Sequence, residues 1–164
     1  MDVPGLVKKT KGVEDVRLIE AKDLVRQDWV REACRECRFY GRSWSCPPGV
    51  RAREADEGFK TYKRAVFVKF RSSGDRKGLE KAILEIESRL KESGFPRAKG
   101  FFVSPCSACA ACAYPEPCKR PEEMRPTGES WGVDLLASSQ NAGLDVEIAK
   151  KGESFKPVTF FLLD

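Results

Sequence analysis

Histidine is absent from this chain of 164 residues. That removes imidazole general bases, Ser–His and Cys–His nucleophile pairs, and zinc sites of the mixed cysteine–histidine kind. Asparagine occurs once, at Asn141, and glutamine only at Gln27 and Gln140. Set beside abundant Lys, Arg and Glu, this scarcity has the composition of a thermophile's protein. No apolar run approaches the ~20 residues of a membrane span. The amino terminus, Met1-Asp-Val-Pro-Gly-Leu-Val-Lys-Lys9, has no signal-peptide core. A cytoplasmic location is therefore expected, with no membrane partner. The net charge of +5 is weak evidence for an acidic partner and too little for nucleic acid. The basic run Lys60, Lys63, Lys69, Arg71, Arg76 and Lys77 lacks interleaved aromatics and reads as a solvated face.

Cysteine is what the chain has instead. Its 7 cysteines, an odd number, disfavour complete internal pairing, and in a reducing compartment metal binding is the better reading than disulfides. All of them fall into two groups. Cys106, Cys109, Cys112 and Cys118 have the spacing C-x2-C-x2-C-x5-C. The first three repeat the ferredoxin spacing for three corners of a [4Fe–4S] cube. Ser107, Ala108, Ala110, Ala111 and Ala113 are small enough for the backbone to wrap closely and aim its amides at sulfur. Lys119 and Arg120 offset thiolate charge. The other group is Cys34, Cys37 and Cys46, in the pattern C-x2-C-x8-C-P-P.

The remaining residues predict an α+β fold, α/β-like, in a single domain over 1–164: a small mixed sheet with a βαβ unit, helices packed on it and cysteine-rich loops holding metal centres. Residues 1–14 read as loosely held. Val16 to Glu20 alternate as a short strand. Asp28 is placed to cap a helix that delivers Cys34, and Pro47 and Pro48 to hold Cys46 in an extended approach. Residues 52–62 suit a helix. Arg64–Phe70 is rich in β-branched and aromatic residues. Ser73-Gly-Asp75 starts a helix of about 18 residues with Leu79, Ala82, Ile83, Ile86 and Leu90 on one face, stopped by Gly94 and Pro96. Gly100–Val103 is a strand, parallel to the first through a right-handed crossover. The quartet follows it directly, where α/β proteins place ligands. Glu129–Ala142 reads as one helix, and Leu144–Ala149 and Val158–Leu163 as closing strands.

Two [4Fe–4S] clusters, one on each group, use seven thiolates and leave one iron open. Alternatively Cys118 crosses to the trio, as in two-cluster ferredoxins, and Cys106, Cys109 and Cys112 hold the open iron. Zinc in either group is a further reading, with an outside Asp or Glu completing the trio. Tyr40 and Trp44 read as packing, and Arg125, Glu129 and Asp134 as caps and surface ion pairs before pocket lining.

The order of these motifs resembles a known family. Trp29-Val-Arg31, Cys34-x2-Cys37-x2-Tyr40-Gly41 and Trp44-x-Cys46-Pro47-Pro48 open it. Cys106-x2-Cys109-x2-Cys112, Cys118-Lys-Arg-Pro121, Arg125-Pro126, Glu129, Gly132-Val-Asp134 and Asn141-Ala-Gly143 follow. Together they resemble a family of archaeal and bacterial predicted metal-binding proteins classed as a domain of unknown function. Lys119 departs from the Arg expected there but keeps the charge. The resemblance implies metal or iron–sulfur binding and no particular reaction.

Three functions are expected on this basis. The first is an iron–sulfur protein with one or two [4Fe–4S] clusters that passes electrons to a redox partner. The second is an enzyme whose three-cysteine cluster takes a small-molecule substrate or sulfur at its open iron. The third is a zinc-stabilised binding module.

Overall fold

The computed structural model describes residues 1–72, 75–146 and 149–164. Four strands form a sheet in the order β1 (Val13–Glu20), β2 (Arg64–Phe70), β4 (Val158–Leu162), β3 (Lys99–Gly100), with every hydrogen-bonded pair antiparallel. The expected mixed sheet is therefore replaced by antiparallel pairing. β2 and β3 do point the same way, since both oppose β4, but β4 lies between them. Its sequence explains the position. Val158-Thr-Phe-Phe-Leu162 is buried throughout, and strands covered on both faces belong at the centre.

Alternation sorts the two faces. Val66, Val68 and Phe70 of β2 join Phe161 and Leu163 on one side. Ala65 and Phe67 join Val158, Phe160 and Leu162 on the other. The first face is covered by α4 (Arg76–Glu92) through Ile83, Ile86 and Leu90, none of them exposed. Leu79 and Ala82 pack at the margin of the same stripe. Asp75 caps α4, accepting from the Lys77 and Gly78 amides at 3.1 Å each. The expected start at Ser73-Gly74 lies outside the described residues. Gly94 ends the helix at a φ of 101°, which favours glycine.

The same face carries α1 (Val3–Lys8), where a loose segment was expected. Val3 and Val7, four residues apart, are buried against the sheet, and Asp2 caps the turn through the Gly5 amide at 2.9 Å. The opposite face is covered by α3 (Ala52–Phe59), a 3-10 turn (Glu129–Trp131) and α5 (Leu135–Asn141). α3 stops short of the expected residue 62. The single helix expected over 129–142 is broken at Gly132, whose φ is 77°, and restarts at Asp134, which caps α5 through the Ala137 amide at 2.9 Å. Leu144 to Val146 form no strand, and residues 147 and 148 of that expectation lie outside the described residues.

β3 is shorter than expected because the chain leaves the sheet early. Phe102 donates its amide to the Pro126 carbonyl at 2.9 Å and bridges to Thr127 rather than extending along β4. This contact ties the two ends of the cysteine quartet's loop together. α2 (Asp28–Cys34) has Gln27 at its cap position, with Asp28 as its first residue, and it ends on Cys34. No helix among the described residues is long and apolar enough to cross a membrane.

Candidate metal centre

The seven thiols gather as two sets, divided as the sequence divides them. Cys106, Cys109, Cys112 and Cys118 line one small cavity of about 20 Å³, together with Lys119 and Arg120. Cys34, Cys37 and Cys46 line a different, much larger cavity of about 770 Å³. Cys118 thus sits with its own run and not with the trio. Among the described residues no three Cys, Asp or Glu side chains stand close enough to grip a single ion.

Two buried carboxylates of α4 hold the quartet loop. Glu80 accepts from the Ser107 amide at 3.0 Å and from its hydroxyl at 2.9 Å, fixing the residue after Cys106. Glu87, seven residues on and so on the same face, receives Arg125 at 2.7 and 2.8 Å, Lys91 at 2.5 Å and the Gly100 amide at 2.8 Å. Burial pushes the Glu87 carboxyl up, but these donors outweigh it and hold it below the ordinary value. Arg125, read from sequence as a surface ion-pair residue, is instead part of this buried cluster. Within the loop, the Ala108 amide points at Cys106 Sγ at 3.5 Å, the kind of contact that tunes a metal-bound thiolate. Arg120 donates to the Ala108 carbonyl at 2.8 Å and pairs with Glu123.

The quartet loop has a second side. Cys106, Cys109 and Cys112 also border a cleft of about 460 Å³ that Arg38, Arg42 and Arg76 line. Arg38 and Arg42 come from the trio's loop, and Arg76 opens α4 and donates to the Pro105 carbonyl. Cationic side chains therefore face the quartet from both directions, which suits a group of net negative charge.

The trio is built from the end of α2 and the turns after it. The Cys37 amide donates to the Cys34 carbonyl at 3.1 Å and the Cys46 amide to the Ser43 carbonyl at 3.2 Å. Cys46 lies in a succession of turns closed by a Gly41 amide to Pro47 carbonyl bond of 3.0 Å, not in the extended approach expected from the two prolines. Burial pushes the Cys46 thiol up to about 12, with the neighbouring Cys34, Cys37 and Glu129 adding to the shift. Burial raises Cys34 too, followed by Glu129 and Cys37. Cys37 is the exposed member.

Glu129 lies beside this set and lines its cavity, although the sequence offered it first as a cap or surface residue. It forms no ion pair among the described residues. Burial pushes its carboxyl up to about 7. Asp134 follows the simpler expectation, as the α5 cap.

The two loops are pinned to each other. Trp44 donates its indole N–H to the Glu116 carbonyl at 2.9 Å and packs edge-on to Tyr114 with ring centres 5.0 Å apart. Ser45 accepts from the Cys106 amide through its hydroxyl and from the Thr127 amide through its carbonyl, at 3.1 and 3.0 Å. Tyr40 is 39% exposed, so neighbouring residues cover most of it. Sequence reasoning missed Ser45, Glu80 and Glu87. A lone serine in a loop carries no signal. The seven-residue spacing of Glu80 and Glu87 beside the apolar stripe was visible but is common on solvated helices.

Seven thiols gathered in two sets on an α+β fold, with no imidazole in the chain, make this a cysteine-rich α+β protein. The match to a family model is more particular: it covers residues 17–163, and the chain belongs to the family described as predicted metal-binding protein (DUF2284). No curated protein and no solved structure matches the chain.

Proposed function

We propose that the chain is an iron–sulfur protein in which Cys106, Cys109, Cys112 and Cys118 hold a [4Fe–4S] cluster and Cys34, Cys37 and Cys46 hold a second centre with an open position. The supporting observation is the segregation of the thiols: four around one cavity, three around another. Such clusters, when bound, carry single electrons. Three thiols leave a coordination position that four do not, and an open position separates catalytic from structural centres.

Volume sets a condition on the quartet. Its cavity of about 20 Å³ holds roughly one water-sized body. That space admits a single ion and no more, and the four thiols must draw together to grip one. A cube requires the loop to open towards the cleft of about 460 Å³, which three of its four cysteines already border and where Arg38, Arg42 and Arg76 offset cluster charge.

Electron transfer to a partner protein is the first reading of the whole. A second, enzymatic reading is favoured by the size of the trio's cavity, which has room for a substrate that the quartet's lacks. Iron, sulfide and zinc analysis with electron paramagnetic resonance on anaerobically purified protein tests the proposal. Broad visible absorption and a reduced-cluster signal are the expected result. Colourless protein with stoichiometric zinc removes the redox role.

A further inference from the structure

The cavity beside the trio has walls that thiol ligation does not require. Trp29 from α2, Val133, Leu135 and Leu136 before and within α5, and Phe155 from the carboxyl-terminal segment line it. Trp29, Leu136 and Phe155 are also among the exposed large apolar side chains, at 54, 36 and 49%. Its volume of about 770 Å³ falls inside the range of small-molecule sites, and such sites join apolar walls to a few fixed polar groups.

The polar groups here are few, and their partners can be traced. Asp134 is engaged with the Ala137 amide, and Lys156 with Glu14 at 2.8 Å. Neither Asp134 nor Glu129 pairs with a cation among the described residues, and Asp134 is committed to its helix cap, which leaves Glu129 as the carboxylate available to a ligand. Glu129 is half-buried and forms no ion pair among the described residues, so a cation that the apolar walls hold beside it gains a charge-assisted contact. The apolar walls add burial energy only for a ligand with a hydrocarbon body, which a bare metal ion lacks.

We propose that this cavity binds a small, largely apolar amine, with its ring or chain against Trp29, Leu135 and Phe155 and its charged nitrogen on the Glu129 carboxylate. The proposal goes beyond the metal assignment and names the class of molecule that reaches the trio's open side. Metal content is recorded beside amine binding, so the two readings fail separately.

The test is a matched series on the full-length protein: 1-naphthylmethylamine, 1-naphthylmethanol and 1-naphthoic acid, titrated calorimetrically, with metal content and circular dichroism recorded for each preparation. The amine is expected to bind at least about tenfold tighter than the alcohol, and the acid most weakly. Glu129→Gln is expected to abolish the amine's advantage, leave alcohol binding unchanged and keep wild-type metal content. Trp29→Ala is expected to weaken amine and alcohol alike. Equal binding of all three probes, or an amine preference that survives Glu129→Gln, overturns the proposal. Loss of metal from Glu129→Gln also overturns it, because the carboxylate is then a ligand. Concentration-dependent dimerisation that Trp29→Ala abolishes does so as well, because the cavity is then covered by a second copy of the chain.

Discussion

The Ser45 hydroxyl accepts a hydrogen bond from the Cys106 amide at 3.1 Å, so the residue before the last trio cysteine holds the first cysteine of the quartet. Ser45 has no solvent exposure, and its carbonyl also receives the Thr127 amide from the far end of the quartet loop. The two thiol sets therefore share one buried fastening.

Replacing Ser45 with Ala leaves the Cys106 amide without its partner, at a cost of ~1–3 kcal/mol. The expected outcome is a lower unfolding temperature together with reduced metal content in both sets. Metal analysis and thermal denaturation read this out. Loss confined to the quartet would mean that the fastening carries no coupling.

Glu87→Gln breaks a cluster in which the Glu87 and Arg125 side chains are only 3 and 17% exposed. Removing one partner of a buried pair costs ~3–5 kcal/mol, because the other charge remains desolvated. The pH dependence follows from the direction of the shift. The folded carboxyl lies below its ordinary value, so its contribution is complete above that value and is lost as the pH falls through the folded one. Wild type and Glu87→Gln should therefore differ most near neutrality and converge only as the pH falls below the ordinary carboxylate range, as followed by chemical denaturation across pH.

Asp56 on α3 receives Arg31 at 2.5 Å and also Arg26, and both arginines reach the Trp131 carbonyl. Arg31 chiefly, then Arg26, hold its carboxyl down to about 2 against the opposing effect of burial. The depressed value means that this support persists until strongly acid pH. With 41% of its side chain exposed, solvent screens the pair, and Asp56→Asn is expected to cost no more than about 1 kcal/mol. The difference should shrink further in high salt, as measured by denaturant midpoints with and without added sodium chloride.

Glu80→Gln removes the carboxylate that receives Ser107 but keeps an amide oxygen as acceptor. The expected effect on stability is about 1 kcal/mol. Metal release from the quartet to a chelator should quicken while the trio's is unchanged. Equal release from both sets would place the effect on global stability instead.

Much of the architecture was legible because periodicity reports burial directly. Arg64–Phe70 and the stripe from Leu79 to Leu90 lie where pattern places them. Strand order was not legible. Nothing in the strand–helix–strand run says that Val158–Leu162 will insert between its two strands; that follows from burial on both faces, a tertiary fact. α1 was missed because Val3 and Val7, with Pro4 and Gly5 between them, make a short apolar face that packing, not composition, stabilises. In the site, the thiols sorted themselves in sequence, since ligands for one centre cluster on one loop. Glu129 did not, because its role depends on the fold carrying the turn at Glu129–Trp131 to the end of α2.

The most direct measurement counts iron and acid-labile sulfide per chain, anaerobically, in wild type, Cys112→Ser and Cys46→Ser. Two centres on separate thiol sets predict about four iron and four sulfide lost from one set in each variant while the other keeps its signal in electron paramagnetic resonance. Simultaneous loss of all iron from either single replacement, or full retention in both, would contradict the assignment of the two sets to two centres.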